Sequence, residues 1–399
     1  MRARIKIGII GSGPSGLTAA FFLARKGYRP TIFEALPVAG GMLAVGIPDH
    51  RLPREIVERE VDLIKAAGVT IKTGQVLGRD VTIDGLFRDG FKAVYCATGA
   101  GKSLAMGIPG EEAEGVLHSL EYLREVNLGH TVPVGKRVCV VGGGNSAVDA
   151  ARAAHRQPGC EKVSILYRRT KAEMPALAEE VEAAIEEGID LQLLAAPIKV
   201  ITAYGKATAI ECLRMKLGDK DASGRRRPIP IEGSNFTLPL DTLILAIRER
   251  PDTSYIGEGD EIRRVEENIH IDEETVMTTR AGVFAGGDAV TGPSTVVESM
   301  AAGKAAAEMI EKYVRGLPMQ RDYWLTRPSI YVPGVEAEAG EGDLNRRPKI
   351  PHLSLAARRK NFREVELGLS EAQAGREARR CLRCDLETSD AKAAIGAKP

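Results

Sequence analysis

Short runs of apolar residues, each about a strand long, alternate along this chain with stretches whose apolar positions recur at helical spacing. Ile5 to Ile10 is the first such run. It breaks at Gly11-Ser12-Gly13-Pro14-Ser15-Gly16 and passes into a helical pattern from Leu17 to Lys26. After Gly27 a second run, Pro30 to Phe33, ends on Glu34. The same series returns in mid-chain. Arg137 to Val141 leads into Gly142-Gly143-Gly144-Asn145-Ser146-Ala147, then a helical stretch from Val148 to His155, then a run from Lys162 to Tyr167 that ends on Arg168 and Arg169. Elsewhere the spacing predicts a helix from Glu55 to Ala67, strands from Ala93 to Ala97, Leu243 to Ile247 and Val283 to Ala285, and a long helix from Ser294 to Tyr313. Strands separated by helices predict an α/β fold with parallel sheets. From about Pro328 the texture turns charged and proline-bearing, which reads as a C-terminal tail suited to packing on a partner.

Composition narrows the class. The 43 glycines among 399 residues suit many strand-to-helix turns and close backbone contacts with a ligand. Lys and Arg total 55 against 54 Asp and Glu, a formal charge of +1, which argues against broad attraction to nucleic acid or an anionic membrane surface. No apolar run reaches the roughly 18 residues of a bilayer span. Met1 to Lys6 passes straight into a strand without a signal-peptide core, so a cytoplasmic location without membrane insertion is expected. Six cysteines do not make a secreted disulfide framework, and Cys96 and Cys139, inside apolar runs, are expected to be buried reduced thiols.

The two glycine turns carry the chemistry. Gly11, Gly13 and Gly16 directly after a strand form a dinucleotide fingerprint, with Ser15 inside the same turn. The glycines permit the tight turn, the close approach of a pyrophosphate, and tight helix–strand packing. The helix that follows offers unpaired N–H groups and the positive end of its dipole. Glu34 stands where a carboxylate accepts hydrogen bonds from ribose hydroxyls. The second turn, with Gly142, Gly144, Asn145 and Ser146, closes on Ala147 in place of a third glycine, which the motif tolerates. Its second strand ends on Arg168 and Arg169, whose guanidinium groups suit a 2′-phosphate that a carboxylate would repel. The first unit therefore reads as an FAD site and the second as an NADPH site, with NADH left open. The expected architecture is two Rossmann-like dinucleotide-binding domains, the NAD(P)H domain inserted into the FAD domain. Residues 1–125 and 261–327 form the FAD part, 126–260 the NAD(P)H part, and 328–399 the tail.

Further short stretches surround these turns: Gly40-Gly41-Met42-Leu43, Gly46-Ile47-Pro48, Arg51-Leu52-Pro53, Ala97-Thr98-Gly99, Glu173-Met174-Pro175-Ala176 and Gly286-Gly287-Asp288. With these stretches in this order between about Ile5 and Tyr313, the chain resembles the FAD/NAD(P)H-binding β subunit of glutamate synthase and its relatives. These include the flavin module of dihydropyrimidine dehydrogenase and the bifurcating transhydrogenases. The resemblance implies that Gly41, Met42, Leu43, Gly46 and Ile47 line the flavin side, with Arg51, Thr98 and Gly99 among the cofactor contacts. It implies that Gly287 and Asp288 meet the ribityl or phosphate portion of FAD. The backbone around Thr295 and Val296 would face the isoalloxazine, where a helix N-terminus stabilises negative charge on the reduced ring. One departure stands out: Arg248 occupies a position after Ala246-Ile247 where the family usually has glycine.

The tail carries Cys381-Leu382-Arg383-Cys384, which resembles a segment lying beside iron–sulfur modules in relatives. Two thiolates do not complete a zinc or 4Fe–4S site, which takes about four ligands. Three readings stay open: a zinc or iron–sulfur half-site completed elsewhere, a plain reduced pair, or a redox dithiol. The function expected from all of this is flavin-dependent NAD(P)H:acceptor oxidoreduction, with electrons passing between the nicotinamide nucleotide and an iron–sulfur partner subunit in a larger redox complex. Such chemistry asks the protein mainly to hold the two rings about 3–3.5 Å apart, and no catalytic acid or base is expected. The chain opens on the FAD strand without the cysteine-rich cluster domain of the glutamate synthase β subunit, so the onward acceptor is expected on another polypeptide. Two other readings remain. One is a thioredoxin-reductase-like disulfide reductase using Cys381 and Cys384, although no CxxC lies between Lys136 and Ile247. The other is a non-catalytic, FAD-stabilised assembly subunit in which Arg248 blocks exchange.

Overall fold

Each predicted strand–turn–helix unit is present in a computed structural model, which describes residues 5–221, 223–321 and 347–379. The chain divides into two compact units, Met1–Arg321 with Leu355–Arg363, and Asp322–Ser354 with Glu364–Pro399. The first contains two parallel five-stranded sheets. One runs in spatial order Val283–Ala285, Phe91–Cys96, Lys6–Ile10, Arg29–Phe33, Thr70–Lys72. The other runs Val116–His118, Thr242–Leu245, Arg137–Val141, Lys162–Tyr167, Asp190–Leu193. All strands of the second sheet fall in sequence between Phe91–Cys96 and Val283–Ala285 of the first.

The uninterrupted apolar runs follow from burial on both faces of a parallel sheet. Ile7 and Ile9 pack with Leu17, Leu23 and Ile310 on one face. Ile10, Phe33, Val94 and Cys96 pack with Leu86 and Ile256 on the other. Helix Pro14–Arg25 crosses helix Val296–Val314 at backbone distance, since a Cβ on Gly303 would lie 2.2 Å from the Ser15 carbonyl oxygen. In the second sheet the alanine-rich helix Asn145–Arg156 buries Ala147, Ala150, Ala151 and Ala154 against Val138, Val140 and Ile165.

An antiparallel layer adds to the expected parallel sheets. Ala195–Ala203, Lys206–Lys220, Arg226–Pro230 and Phe236–Pro239 pair antiparallel and cover the other face of the second sheet with Ile210 and Leu240. These strands keep one side in solvent, so their apolar residues alternate with charged ones and give no continuous run. The expected strand Leu243 to Ile247 stops at Leu245. Beyond it the Arg248 carbonyl accepts from the Leu104 N–H at 3.1 Å, and Glu249–Arg250 pairs with Lys102–Ser103, drawing the chain off the sheet. The long helix starts at Val296 because Thr295 caps it, with Glu298 closing a capping box.

Segment Leu355–Arg363 lies on the second sheet's helices, with Phe362 packed against that core and the Arg358 guanidinium 3.8 Å from Glu187. In the second unit the Leu353 N–H bonds the Val365 carbonyl at 2.9 Å, and Glu371–Arg379 is helical. Among the described residues no helix is long and apolar enough to cross a membrane.

Candidate functional site

The first cleft lies at the carboxyl ends of the first sheet, between Lys6–Ile10 and Phe91–Cys96, where the strand order reverses. That crevice is the binding position of open α/β sheets. Gly11 has φ +98°, and a Cβ there would sit 2.3 Å from the Ala97 carbonyl oxygen. A Cβ on Gly16 would lie 2.0 Å from the Gly11 oxygen, and one on Gly41 2.7 Å from Gly13 Cα. These three glycines are demanded by the fold. Gly13 differs: nothing lies within 4 Å of where its Cβ would be. The open space faces the first turn of helix Pro14–Arg25, as a pyrophosphate requires.

Glu34 is only 5% exposed. Its Oε2 accepts from the Ser12 N–H at 2.8 Å and the Ser12 hydroxyl at 2.5 Å, and its Oε1 accepts from the Leu36 N–H at 2.8 Å. Ser12 in turn accepts from the Gly40 N–H, so the loop bearing Gly41, Met42 and Leu43 is tied to the fingerprint. Gly46 and Ile47 follow the short helix Met42–Val45, and the Ile47 carbonyl accepts from Arg54 and from Asn127 Nδ2. The Ser15 hydroxyl shares a 2.6 Å bond with the Tyr95 hydroxyl. A Cβ on Gly286 would lie 2.3 Å from that same oxygen, so Tyr95 props the fingerprint and the Gly286-Gly287-Asp288 loop together. Neither Ser12 nor Tyr95 carries a signal in the sequence. Ser12 occupies a variable position of the motif, and Tyr95 reads as an ordinary strand aromatic.

Asp288 Oδ1 accepts from the Ser294 and Ser299 hydroxyls at 3.0 and 3.2 Å. Burial pushes its carboxyl above the usual range, against the pull of those two bonds. Thr98 shares a 2.9 Å hydrogen bond with the Tyr255 hydroxyl, and Gly99 takes φ +71°. Thr295 and Val296 open the long helix, and Val296 and Val297 are exposed there.

The second cleft repeats the plan at the end of Arg137–Val141. A Cβ on Gly142 would meet the Ala246 carbonyl oxygen at 2.1 Å, whereas Gly144 faces open space. Ala147 is fully buried against Gly142. Asn145 Oδ1 accepts from the Leu177 N–H at 3.0 Å, and the Gly143 carbonyl accepts from the Ala176 N–H at 3.1 Å. The Glu173-to-Ala176 stretch is thereby laid over the fingerprint, with Ser146 half-buried beside it. The two arginines part company. Arg168 is exposed. Arg169 is 5% exposed, its Nε donating to the Arg226 carbonyl and its NH2 to Asp221 Oδ2, both at 2.7 Å.

Arg51 is drawn into a buried ionic cluster. It meets Asp149 at 2.7 Å and Glu180 at 3.2 Å. Arg152 bridges Glu180 and Glu187, and Arg156 also binds Glu187. Burial raises the Asp149 carboxyl to about 6, despite Arg51. Burial acts on Glu187 in the same sense, but hydrogen bonds from Arg156 and Arg152 outweigh it and bring the carboxyl down to about 2. His50, beside the cluster, is held well below its ordinary value by burial and then by Arg156 and Arg152. Among the described residues no group of His, Cys, Asp and Glu is arranged to hold a metal ion. Cys381 and Cys384 lie outside the described residues.

Two fingerprint clefts on two parallel sheets are thus joined in one unit. Residues 5–303 match the pyridine nucleotide-disulphide oxidoreductase family. The chain belongs to that family. It is 45% identical over 388 residues to the NADP(+)-dependent formate dehydrogenase subunit beta of Moorella thermoacetica, covering 95% of this chain and 54% of that protein. It is 38% identical over 425 residues to the NADPH-Fe(3+) oxidoreductase subunit beta of Geobacter sulfurreducens, covering 95% of this chain and 61% of the relative. It is 37% identical over 325 residues to the glutamate synthase (NADPH) small chain of Azospirillum brasilense, covering 78% and 67%. The chain therefore spans little more than half the length of the first two relatives, and the expected kinship with glutamate synthase β subunits is borne out. Among solved structures, Mycobacterium tuberculosis FprA in complex with NADPH superposes with a TM-score of 0.65 at 19% identity, over 78% of this chain and 85% of that one. Lactococcus lactis thioredoxin reductase gives 0.60 at 21% identity, over 79% and 100%. Both share the fold. As a member of this family the chain is a flavin-dependent oxidoreductase with the expected α/β architecture.

Proposed function

We propose that this chain holds FAD in the first cleft and NADPH in the second, and moves electrons between the nicotinamide nucleotide and an iron–sulfur subunit of a larger redox complex. The observation that carries this reading is the contrast at the ends of the two second strands: a locked carboxylate, Glu34, in one cleft and an exposed guanidinium, Arg168, in the other. A carboxylate suits a bare ribose; a guanidinium suits a 2′-phosphate. Residues 1–125 and 261–327 are the FAD part, save that Val116–His118 pairs into the second sheet and goes with the NADPH part, 126–260; residues 328–399 are a partner-facing tail. Gly11, Gly13 and Gly16 with the helix N-terminus receive the flavin nucleotide's pyrophosphate, and Glu34 its ribose. Asp288 takes the ribityl chain, while Gly41 to Leu43, Gly46, Ile47, Thr98, Gly99 and the Thr295-Val296 helix start surround the ring. Bound FAD supplies exchange between two-electron and one-electron chemistry. Gly142, Gly144, Asn145, Ser146 and Ala147 hold the second pyrophosphate. Arg51 works between the clefts, fixing the first cleft's loop to Asp149 and Glu180 of the second.

The names of the relatives support the coupling, since those from M. thermoacetica and G. sulfurreducens are beta subunits of NADP- or NADPH-using enzymes. Cys381 and Cys384 are proposed as half of a zinc or iron–sulfur site completed by the partner. The test is reconstitution of the full chain with FAD, followed by anaerobic reduction of a one-electron dye. About one FAD per chain and a clear preference for NADPH over NADH are expected. A chain that binds no flavin under any reconstitution condition, or that reduces dye equally with both nucleotides, overturns the reading.

A further inference from the structure

Of the two arginines that end Lys162–Tyr167, the structure spends one. Arg169 is buried, and both its bonded nitrogens point at the turn joining Lys206–Lys220 to Arg226–Pro230. That turn is rigid. Asp221 Oδ1 accepts from the Ser223 N–H at 2.9 Å and the Ser223 hydroxyl at 2.5 Å, and the Asp221 N–H donates to the Arg225 carbonyl at 2.8 Å. Arg226 then leaves the turn toward the loop that follows Arg169. Its Nε donates to Glu173 Oε1 at 3.0 Å, and Glu173 Oε2 accepts from the Thr170 N–H at 3.2 Å. The Arg226 side chain is 51% exposed, and among the described residues its two terminal nitrogens carry no hydrogen bond. Its guanidinium therefore stands beside the first residues after Arg168 and Arg169, where the 2′-position of a ribose bound at this strand end must lie.

We propose that this hairpin turn reads the nucleotide's 2′-phosphate. Arg226 and Arg168 are its ligands, and Arg169 is a positioning residue that holds the turn in place through Asp221. The proposal rests on the assignment of the second cleft to NADPH. A guanidinium fork with both terminal nitrogens free binds a phosphate through two charge-assisted hydrogen bonds. Asp221 is matched by Arg169 and Glu173 by Arg226, and among the described residues exposed Arg168 makes no ion pair, which leaves a positive excess for a dianionic group.

Calorimetric binding of adenosine 2′,5′-bisphosphate and of 5′-AMP to the FAD-loaded full chain separates phosphate reading from adenosine binding without requiring turnover. Arg226→Gln should weaken the bisphosphate about ten- to a hundredfold and leave 5′-AMP unchanged. Arg226→Lys, which keeps the charge and loses the fork, should fall between. Asp221→Ala discriminates further. By charge alone, removing a carboxylate near a phosphate strengthens binding; if Arg169 and Asp221 position the turn, binding weakens instead. Flavin content reports that each variant is folded. Bisphosphate affinity unchanged in Arg226→Gln but lost in Arg168→Gln shows that the strand end acts alone, and overturns the proposal. Tighter binding in Asp221→Ala overturns the positioning role. Wild-type protein that binds neither probe refutes the assignment of the second cleft itself, and the hairpin's role with it.

Discussion

Gly13→Ala separates what the fingerprint does for the fold from what it does for the cofactor. Gly13 is the N-cap of helix Pro14–Arg25, with φ −67° and ψ 179°, a conformation open to any residue. Its added methyl would meet nothing within 4 Å. Alanine is a poorer N-cap than glycine by up to about 1 kcal/mol. Its lower unfolded-state entropy returns about 0.4–1 kcal/mol. The apoprotein should therefore unfold in urea within about 1 kcal/mol of wild type. The methyl nevertheless occupies the approach of the pyrophosphate to the helix N-terminus. Losing one charge-assisted N–H contact, at about 1.5–3 kcal/mol, should raise the FAD dissociation constant roughly ten- to a hundredfold. Gly16→Ala is the contrast, because its methyl would lie 2.0 Å from the Gly11 carbonyl oxygen, and backbone must move. That should cost about 1–3 kcal/mol of stability as well as flavin. Urea unfolding of the two apoproteins and flavin-fluorescence titration of both variants give the four numbers required. Wild-type FAD affinity in Gly13→Ala would refute the placement of the pyrophosphate.

Other expectations follow from the buried polar groups. Glu187, depressed from 4.5 to about 2 in the folded chain, contributes stability that is complete above pH 4.5 and lost as pH falls toward 2, about 3 kcal/mol in all. Glu187→Gln should abolish that part of the acid dependence and, by leaving Arg156 without its carboxylate and Arg152 with Glu180 alone, destabilise the neutral protein by about 3–5 kcal/mol; urea midpoints across the acid range check both. Tyr95→Phe leaves the Ser15 hydroxyl without its partner and should cost about 1 kcal/mol together with a severalfold loss of FAD affinity, measured by the same titrations. Cys381→Ser with Cys384→Ser should remove metal from the assembled complex and weaken assembly while sparing flavin and dye reduction. Unchanged metal content and assembly would make the pair a plain one.

Periodicity and glycine spacing determined much of this protein. Parallel strands buried on both faces must be continuous apolar runs, so Lys6–Ile10, Arg137–Val141 and Lys162–Tyr167 announce themselves, and backbone contacts such as Gly16 on Gly11 admit no other residue. The identity of the residue ending each second strand is equally local, which is why Glu34 and Arg168 could be read as opposites. Tertiary structure decided the rest, because the partners are distant in sequence. Nothing near Arg169 indicates that Asp221 and the Arg226 carbonyl consume it, or that Arg51 is held by Asp149 and Glu180. Tyr95 reads as core until the Ser15 hydroxyl and the Gly286 loop meet on its oxygen. A run of side chains records which face is buried; which charge meets which across a fold depends on how the sheets and hairpins close, and that is settled by packing.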